Sequence, residues 1–91
     1  MTVIVDGEQR AIGVYTDGDL RRALDRRIDV HSATMQEVMT SPCKTIAARE
    51  LAAEAVHRME TFRITALPVV DDDGRLVGAL NVHDLLRRGV V

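Results

Sequence analysis

A repeat at a constant offset of 65 residues constrains this chain more than any other feature in it. Residues 5–22, VDGEQRAIGVYTDGDLRR, lie over residues 70–87, VDDDGRLVGALNVHDLLR, without a gap. Val5 meets Val70, Asp6 meets Asp71, Arg10 meets Arg75 and Gly13 meets Gly78. Further along, Asp19 meets Asp84, Leu20 meets Leu85 and Arg22 meets Arg87. A chain with this pattern has to fold as two copies of one supersecondary unit.

Each copy reads the same way. An apolar run, TVIV or LPVV, meets an acidic turn, DGEQ or DDDG, and a second apolar run follows, AIGVY or LVGAL. Apolar, β-branched-rich runs on either side of turn residues predict a β-hairpin. A short helix then begins, at DGDLRRALDRR in the first copy and VHDLLRRG in the second. The second copy has more in front of it. Leu51, Ala55, Met59 and Phe62 recur at helical spacing, which predicts an amphipathic helix over 49–61. Before it, SPCKTI reads as a bend and a short strand, and TMQEVM as one helical turn with Thr34 and Glu37 as a capping box. The full unit is therefore strand, helix, strand, strand, helix, and the first copy shows only its last three elements. The expected organisation is a partial first copy at 1–27, a connection at 28–44 and a complete second copy at 45–91. The expectation is a fragment, or a chain whose missing pieces a partner supplies.

Composition narrows the function. Ninety-one residues make one small domain or half of a larger one, with a thin core that gains from a partner surface. Tyr15 and Phe62 are the only aromatic residues, so the core is aliphatic and stacking platforms for nucleic-acid bases are missing. Twelve Lys and Arg against fourteen Asp and Glu do not favour a polyanionic partner. Cys43 is alone, which excludes an internal disulfide and fits a reducing cytoplasm. No apolar run reaches bilayer length, and MTVIVDGEQR lacks a secretory leader's basic region. No membrane and no nucleic acid are expected as partners.

The residues that could carry chemistry cluster at the two helix starts. TDGDLRR puts a hydroxyl at Thr16 and a carboxylate at Asp19, three residues on, and the second copy repeats this with Asn81 and Asp84. Two readings fit. One is a capping box, with a first-turn carboxylate worth about 0.3–1 kcal/mol against the helix dipole. The other is a ligand site, because free N–H groups at a helix start hold a phosphate and a hydroxyl beside them adds a donor. Gly13 and Gly78 mark close backbone packing in a strand. His31, His57 and His83 lack metal-ligand spacing, and His83 is the best placed of them, beside Asp84. Arg22 and Arg87 match across the repeat and stay open between dipole compensation and anion capture. No activated nucleophile, metal set or acid–base pair emerges, so no catalytic residue and no cofactor are assigned.

The two-copy β-α-β-β-α pattern, ITALPVVDDDGRLVGAL, and the G-x-x-T-x-x-D motif of Gly13, Thr16 and Asp19 resemble a CBS domain pair, or Bateman module. More narrowly, GVYTDGDLRRAL, VMTSPCKTI and HDLLRRGVV resemble the C-terminal end of bacterial arabinose-5-phosphate isomerases of the KpsF/GutQ type. The resemblance implies an α+β fold with its first repeat truncated. It implies a fused sugar-isomerase (SIS) domain elsewhere in the parent, so this chain itself is expected to have no isomerase activity. The parent would interconvert ribulose 5-phosphate and arabinose 5-phosphate, toward the Kdo of lipopolysaccharide or capsule, in the bacterial cytoplasm. The family assigns the Thr near a ligand phosphate and the Asp to its ribose. Carried over, Thr16 and Asp19 belong to one site, Asn81 and Asp84 to the other, with His83 beside the phosphate. Thr45, Ile46, Ala66, Leu67 and Pro68 would form the wall for the base. The first site, without a strand of its own for that wall, is expected to be incomplete. The expected partners are a nucleotide or nucleotide sugar (CMP-Kdo or an adenine nucleotide), the fused SIS domain, and further copies in a homodimer or homotetramer. The alternative is an oligomerisation module with no specific ligand.

Overall fold

Two hairpins built to one plan organise the chain. The computed structural model describes residues 1–89, so the last two residues of the second copy lie outside the described residues. In chain order the elements are β1 (Thr2–Val5), β2 (Ala11–Tyr15), α1 (Asp17–Asp25), α2 (Met35–Val38), β3 (Ile46–Ala47), α3 (Ala52–Phe62), β4 (Ala66–Val70), β5 (Leu76–Asn81) and α4 (Val82–Arg87). Strands β1 and β2 pair antiparallel, as do β4 and β5, and β3 joins β4 in parallel.

The 65-residue offset holds down to single hydrogen bonds. The hairpin register shifts between Ile4 and Val5, and again between Val69 and Val70. In the first turn Asp6 Oδ1 accepts from the N–H groups of Glu8 (2.8 Å) and Arg10 (3.0 Å). In the second, Asp71 Oδ1 accepts from Asp73 and Arg75, both at 2.9 Å. An aspartate that folds its own turn in this way explains why DG- and DDD-type sequences bend here. Both turns need one residue in the left-handed region, Gln9 (φ 67°) in the first and Gly74 (φ 81°) in the second. The turns then bond to each other. Ala11 N–H donates to Gly74 O at 3.1 Å and Leu76 N–H donates to Gln9 O at 2.8 Å. These two bonds exchange under the repeat, so a pseudo-two-fold axis passes between them.

The core belongs to the second copy. Ile46, Ala55, Met59, Leu67 and Leu85 are buried together, with Val56, Ile64, Val69, Leu80 and Val82 packed around them. Burying each Leu, Ile or Met side chain stabilises by about 1.5–3 kcal/mol. Helix α3 begins three residues later than the spacing predicts, at Ala52. Leu51 sits at its N-cap without a capping side chain. Only the middle of the expected apolar face is inside. Leu51 is 76% exposed, and Phe62 at the other end lies under the Lys44 ammonium, 4.4 Å from the ring centroid. Arg58 fastens α3 to the strand before it by donating to Thr45 O (2.6 Å) and to Glu50 (2.8 Å).

The connection at 28–44 carries α2, and the expected Thr34–Glu37 box does not form. Thr34 is the N-cap residue, but its side chain makes no cap bond, and Glu37 N–H goes to the Thr34 carbonyl instead. A helix of four residues offers little for a cap to stabilise. Past α2 the connection turns along the outer edge of β2. Thr40 N–H donates to Val14 O (2.8 Å), and Val14 N–H donates to Thr40 O (3.0 Å). Ser41 Oγ adds a bond to Ile12 O at 2.7 Å. Gly13 lies beneath this crossing. A Cβ there would stand 2.6 Å from Met39 Sδ and 3.1 Å from Thr40 O. The backbone oxygen cannot swing away as a side chain can. Gly13→Ala is therefore expected to cost about 1–3 kcal/mol in urea unfolding, as overpacking does.

Candidate ligand-binding cleft

Each helix start is shaped by the residue three positions on. Thr16 takes extended backbone angles at the N-cap of α1, and its Oγ1 accepts from Asp19 N–H. Asp19 Oδ2 accepts in return from Thr16 N–H, at 2.7 Å. Asn81 and Asp84 repeat the box at α4, with Asn81 Oδ1 accepting from Asp84 N–H (3.1 Å) and Asp84 Oδ2 from Asn81 N–H (3.0 Å). The two matched arginines have one role in both copies: Arg22 pairs with Asp19 and Arg87 with Asp84, each three residues on. The capping reading of the motif is thus realised in both copies.

The two carboxylates nonetheless differ. Asp19 is buried, with its side chain 2% exposed against 33% for Asp84. Asp19 Oδ2 takes a second bond from Thr16 Oγ1 (2.9 Å), and Oδ1 takes two, from Arg22 and from Thr40 Oγ1 (2.6 Å). An ionised carboxylate has about four lone-pair positions, and all of those on Asp19 are filled. Asp84 has two filled, so it retains acceptor capacity. Burial pushes the Asp19 carboxyl up, but the bonds from Thr40, Arg22 and Thr16 outweigh it and hold the group below its ordinary value.

The tips of α1 and α4 flank one open cleft of about 900 Å³. Of the residues predicted for the site, Thr16, Asp19, Ala66, Asn81 and His83 line it. Thr45, Ile46, Leu67, Pro68 and Asp84 do not. Ile46, Leu67 and Pro68 are buried, so their side chains serve the core and not a base-binding wall. The first site is less bare than expected, because Thr40 of the connection lines the cleft and bonds Asp19. Among the lining residues that sequence reasoning missed, Thr40 and Arg63 bring polar groups to the cleft. Thr40 sat in a stretch read as linker. Arg63 caps α3 in the left-handed region at φ 54°, a conformation no pattern in its sequence announces. It makes no ion pair among the described residues, which leaves an unpaired arginine among the cleft's lining residues. Among the described residues no group of His, Cys, Asp and Glu could hold a metal ion, and burial raises the Cys43 thiol, away from nucleophile chemistry. No described helix is long and apolar enough to cross a membrane.

Two hairpin-and-helix units related by a pseudo-two-fold axis, with their helix tips around one cleft, define a CBS domain pair. The chain belongs to the CBS domain family, whose sequence pattern matches residues 35–90. The CBS domain pair of protein MJ0100, solved with 5-methylthioadenosine and S-adenosyl-L-methionine, superposes with a TM-score of 0.81 at 30% identity, over 97% of this chain and 68% of that one. Over all 91 residues the chain is 58% identical to the arabinose 5-phosphate isomerase KdsD of Pseudomonas aeruginosa and 44% identical to that of Escherichia coli K12. It spans 28% and 27% of those proteins.

The buried carboxylate gives a pH test. A depressed folded value means that Asp19 stabilises fully above the ordinary carboxylate value and loses that contribution as pH falls through the folded one. Asp19→Asn is expected to be less stable than the native chain by about 1–3 kcal/mol at neutral pH. The gap narrows below about pH 4. Urea unfolding of both proteins between neutral and acid pH checks this, and Asp6, present in both, cancels. A gap independent of pH contradicts it.

Proposed function

We propose that this chain is the regulatory, ligand-binding CBS module of an arabinose-5-phosphate isomerase, and that its cleft takes a nucleotide or nucleotide sugar. The single observation that carries the reading is the shared cleft, where the tips of α1 and α4 meet beside the free guanidinium of Arg63. Free N–H groups and a planar cation suit phosphate oxygens. The ligands of the MJ0100 domain pair both contain adenosine, which supports a nucleoside as the ligand's other half. Identity to KdsD over the whole chain supports the parent reaction, the interconversion of ribulose 5-phosphate and arabinose 5-phosphate. In that setting CMP-Kdo, with its carboxylate, phosphate and ribose, is the end-product ligand and AMP or ATP the adenine alternative. The fused SIS domain would read out the occupied state, in a cytoplasmic homodimer or homotetramer.

Within this reading the roles are unequal. Thr16 and the α1 N-terminus face the phosphate together with Arg63, and Asn81 and His83 form the opposite lip. Asp19 has no acceptor position left for a ribose diol unless Thr40 or Arg22 lets go. That saturation favours a second reading in part: the first motif is a structural lock, and an oligomerisation module needs nothing more. Asp84 has open acceptor positions but lies outside the cleft lining, so it does not take over that role.

Thermal unfolding separates the two. At about a hundred times its dissociation constant a ligand stabilises by about 2.7 kcal/mol. A shift of that size with CMP-Kdo, CMP, AMP or ATP is expected, and Arg63→Gly should abolish it. Glycine keeps the left-handed backbone at position 63 without steric cost, so the variant stays folded. No shift with any of the four leaves the structural reading standing.

A further inference from the structure

The two copies differ along one edge, and the difference describes a missing strand. In the first copy the segment Met39–Ser41 runs antiparallel to β2, bonds Val14 in both directions, crosses over Gly13 and gives the Thr40 hydroxyl to Asp19. The repeat turns Gly13, Val14 and Asp19 into Gly78, Ala79 and Asp84. Strand β5 is an edge strand among the described residues. Around Gly78 the space that Met39 and Thr40 fill in the first copy is open: a Cβ there would meet only Val69 Cβ, at an ordinary 3.8 Å. Nothing described in this structure requires a glycine at that position. Asp84 is part-exposed with an unfilled position on Oδ1, where Asp19 takes its hydroxyl. A bare edge strand, an unnecessary glycine and a half-satisfied carboxylate therefore coincide, and each is explained by the same occupant.

We infer that the outer edge of β5 is a docking site for an extended peptide segment with the chemistry of Met39–Ser41. Its backbone pairs with Ala79, its flexible apolar side chain lies over Gly78, and its hydroxyl donates to Asp84 Oδ1. Backbone bonds supply the affinity of such strand addition, and the side chains set its register. The curated relatives, of which this chain spans just over a quarter, are long enough to carry a second such segment.

The test uses the full 91-residue chain and a synthetic peptide with the sequence of Glu37–Pro42. Peptide addition is expected to shift the amide resonances of residues 78–81 and 84 saturably and to leave 13–16 and 19 in place. Gly78→Val fills the open space with a strand-favouring residue, so it retains or raises the unfolding midpoint while weakening the peptide by about tenfold or more. A peptide with Val in place of its Thr binds the native chain about tenfold more weakly, a readout independent of how the variant folds. Absence of saturable shifts up to about 1 mM, the concentration a short tether provides, overturns the inference. Equal binding by a folded Gly78→Val chain, or shifts at 13–19 in place of 78–84, does the same. Shifts at 78–84 that depend on protein concentration without peptide seat a second copy there and also overturn it.

Discussion

A carboxylate with almost no exposed surface must either be neutralised or be given donors enough to replace water. Asp19 has four, and they come from three directions: the N-cap residue Thr16, the α1 residue Arg22, and Thr40 from the connection. The bond to Thr40 spans 21 residues of chain. It ties the connection to α1, and the connection leads directly into β3 at the edge of the second copy's sheet. The first copy has little apolar core of its own, with Ala23 its one fully buried apolar side chain. A polar tether therefore does there what Ile46, Met59 and Leu67 do in the second copy.

The parts of this arrangement that were legible in the sequence are those set by local chemistry. An aspartate four residues before an arginine in a hairpin turn, or a Thr three residues before an Asp at a helix start, makes its bonds within one turn of chain. Repetition at a fixed offset then doubles the signal. The cleft was legible only in outline, because its lining depends on packing. Ile46, Leu67 and Pro68 were expected in the wall for the base, but strand alternation and the placement of α3 turned them into the core. Thr40 had no local pattern, since its partner lies on another element. Arg63 enters the cleft only because α3 ends in a left-handed cap that turns the chain toward β4. The Thr34–Glu37 box failed for the opposite reason, a local signal attached to a helix too short to use it.

Symmetry is kept where hydrogen bonds are made within or between the hairpins and broken where a third element joins. The turn-to-turn exchange of Ala11 with Gly74 and Leu76 with Gln9 obeys the pseudo-dyad. The contacts of the connection and of α3 do not, since each serves one copy. Leu85 is buried against Ala55 and Met59, while its counterpart Leu20 is 39% exposed. Conversely Asp19 is buried under Thr40, while its counterpart Asp84 is not. Each copy is thus complete in the respect in which the other is open.

This complementary incompleteness bears on what the cleft can transmit. A bound molecule shifts a conformational equilibrium only by the difference in its affinity for the two states. A ligand held by Arg63 and the helix tips, but not touching Asp19, leaves the tether intact and has little purchase on the connection. A ligand that does engage Asp19 has to displace Thr40 or Arg22, because the carboxylate has no further acceptor position. Displacing Thr40 frees the hydroxyl that joins α1 to the connection, while the backbone bonds to Val14 and the Ser41 bond to Ile12 still hold the run on β2. Saturation therefore makes Asp19 a poor binding residue on its own, and any ligand that reached it would have to compete with the contacts that hold α1 to the connection.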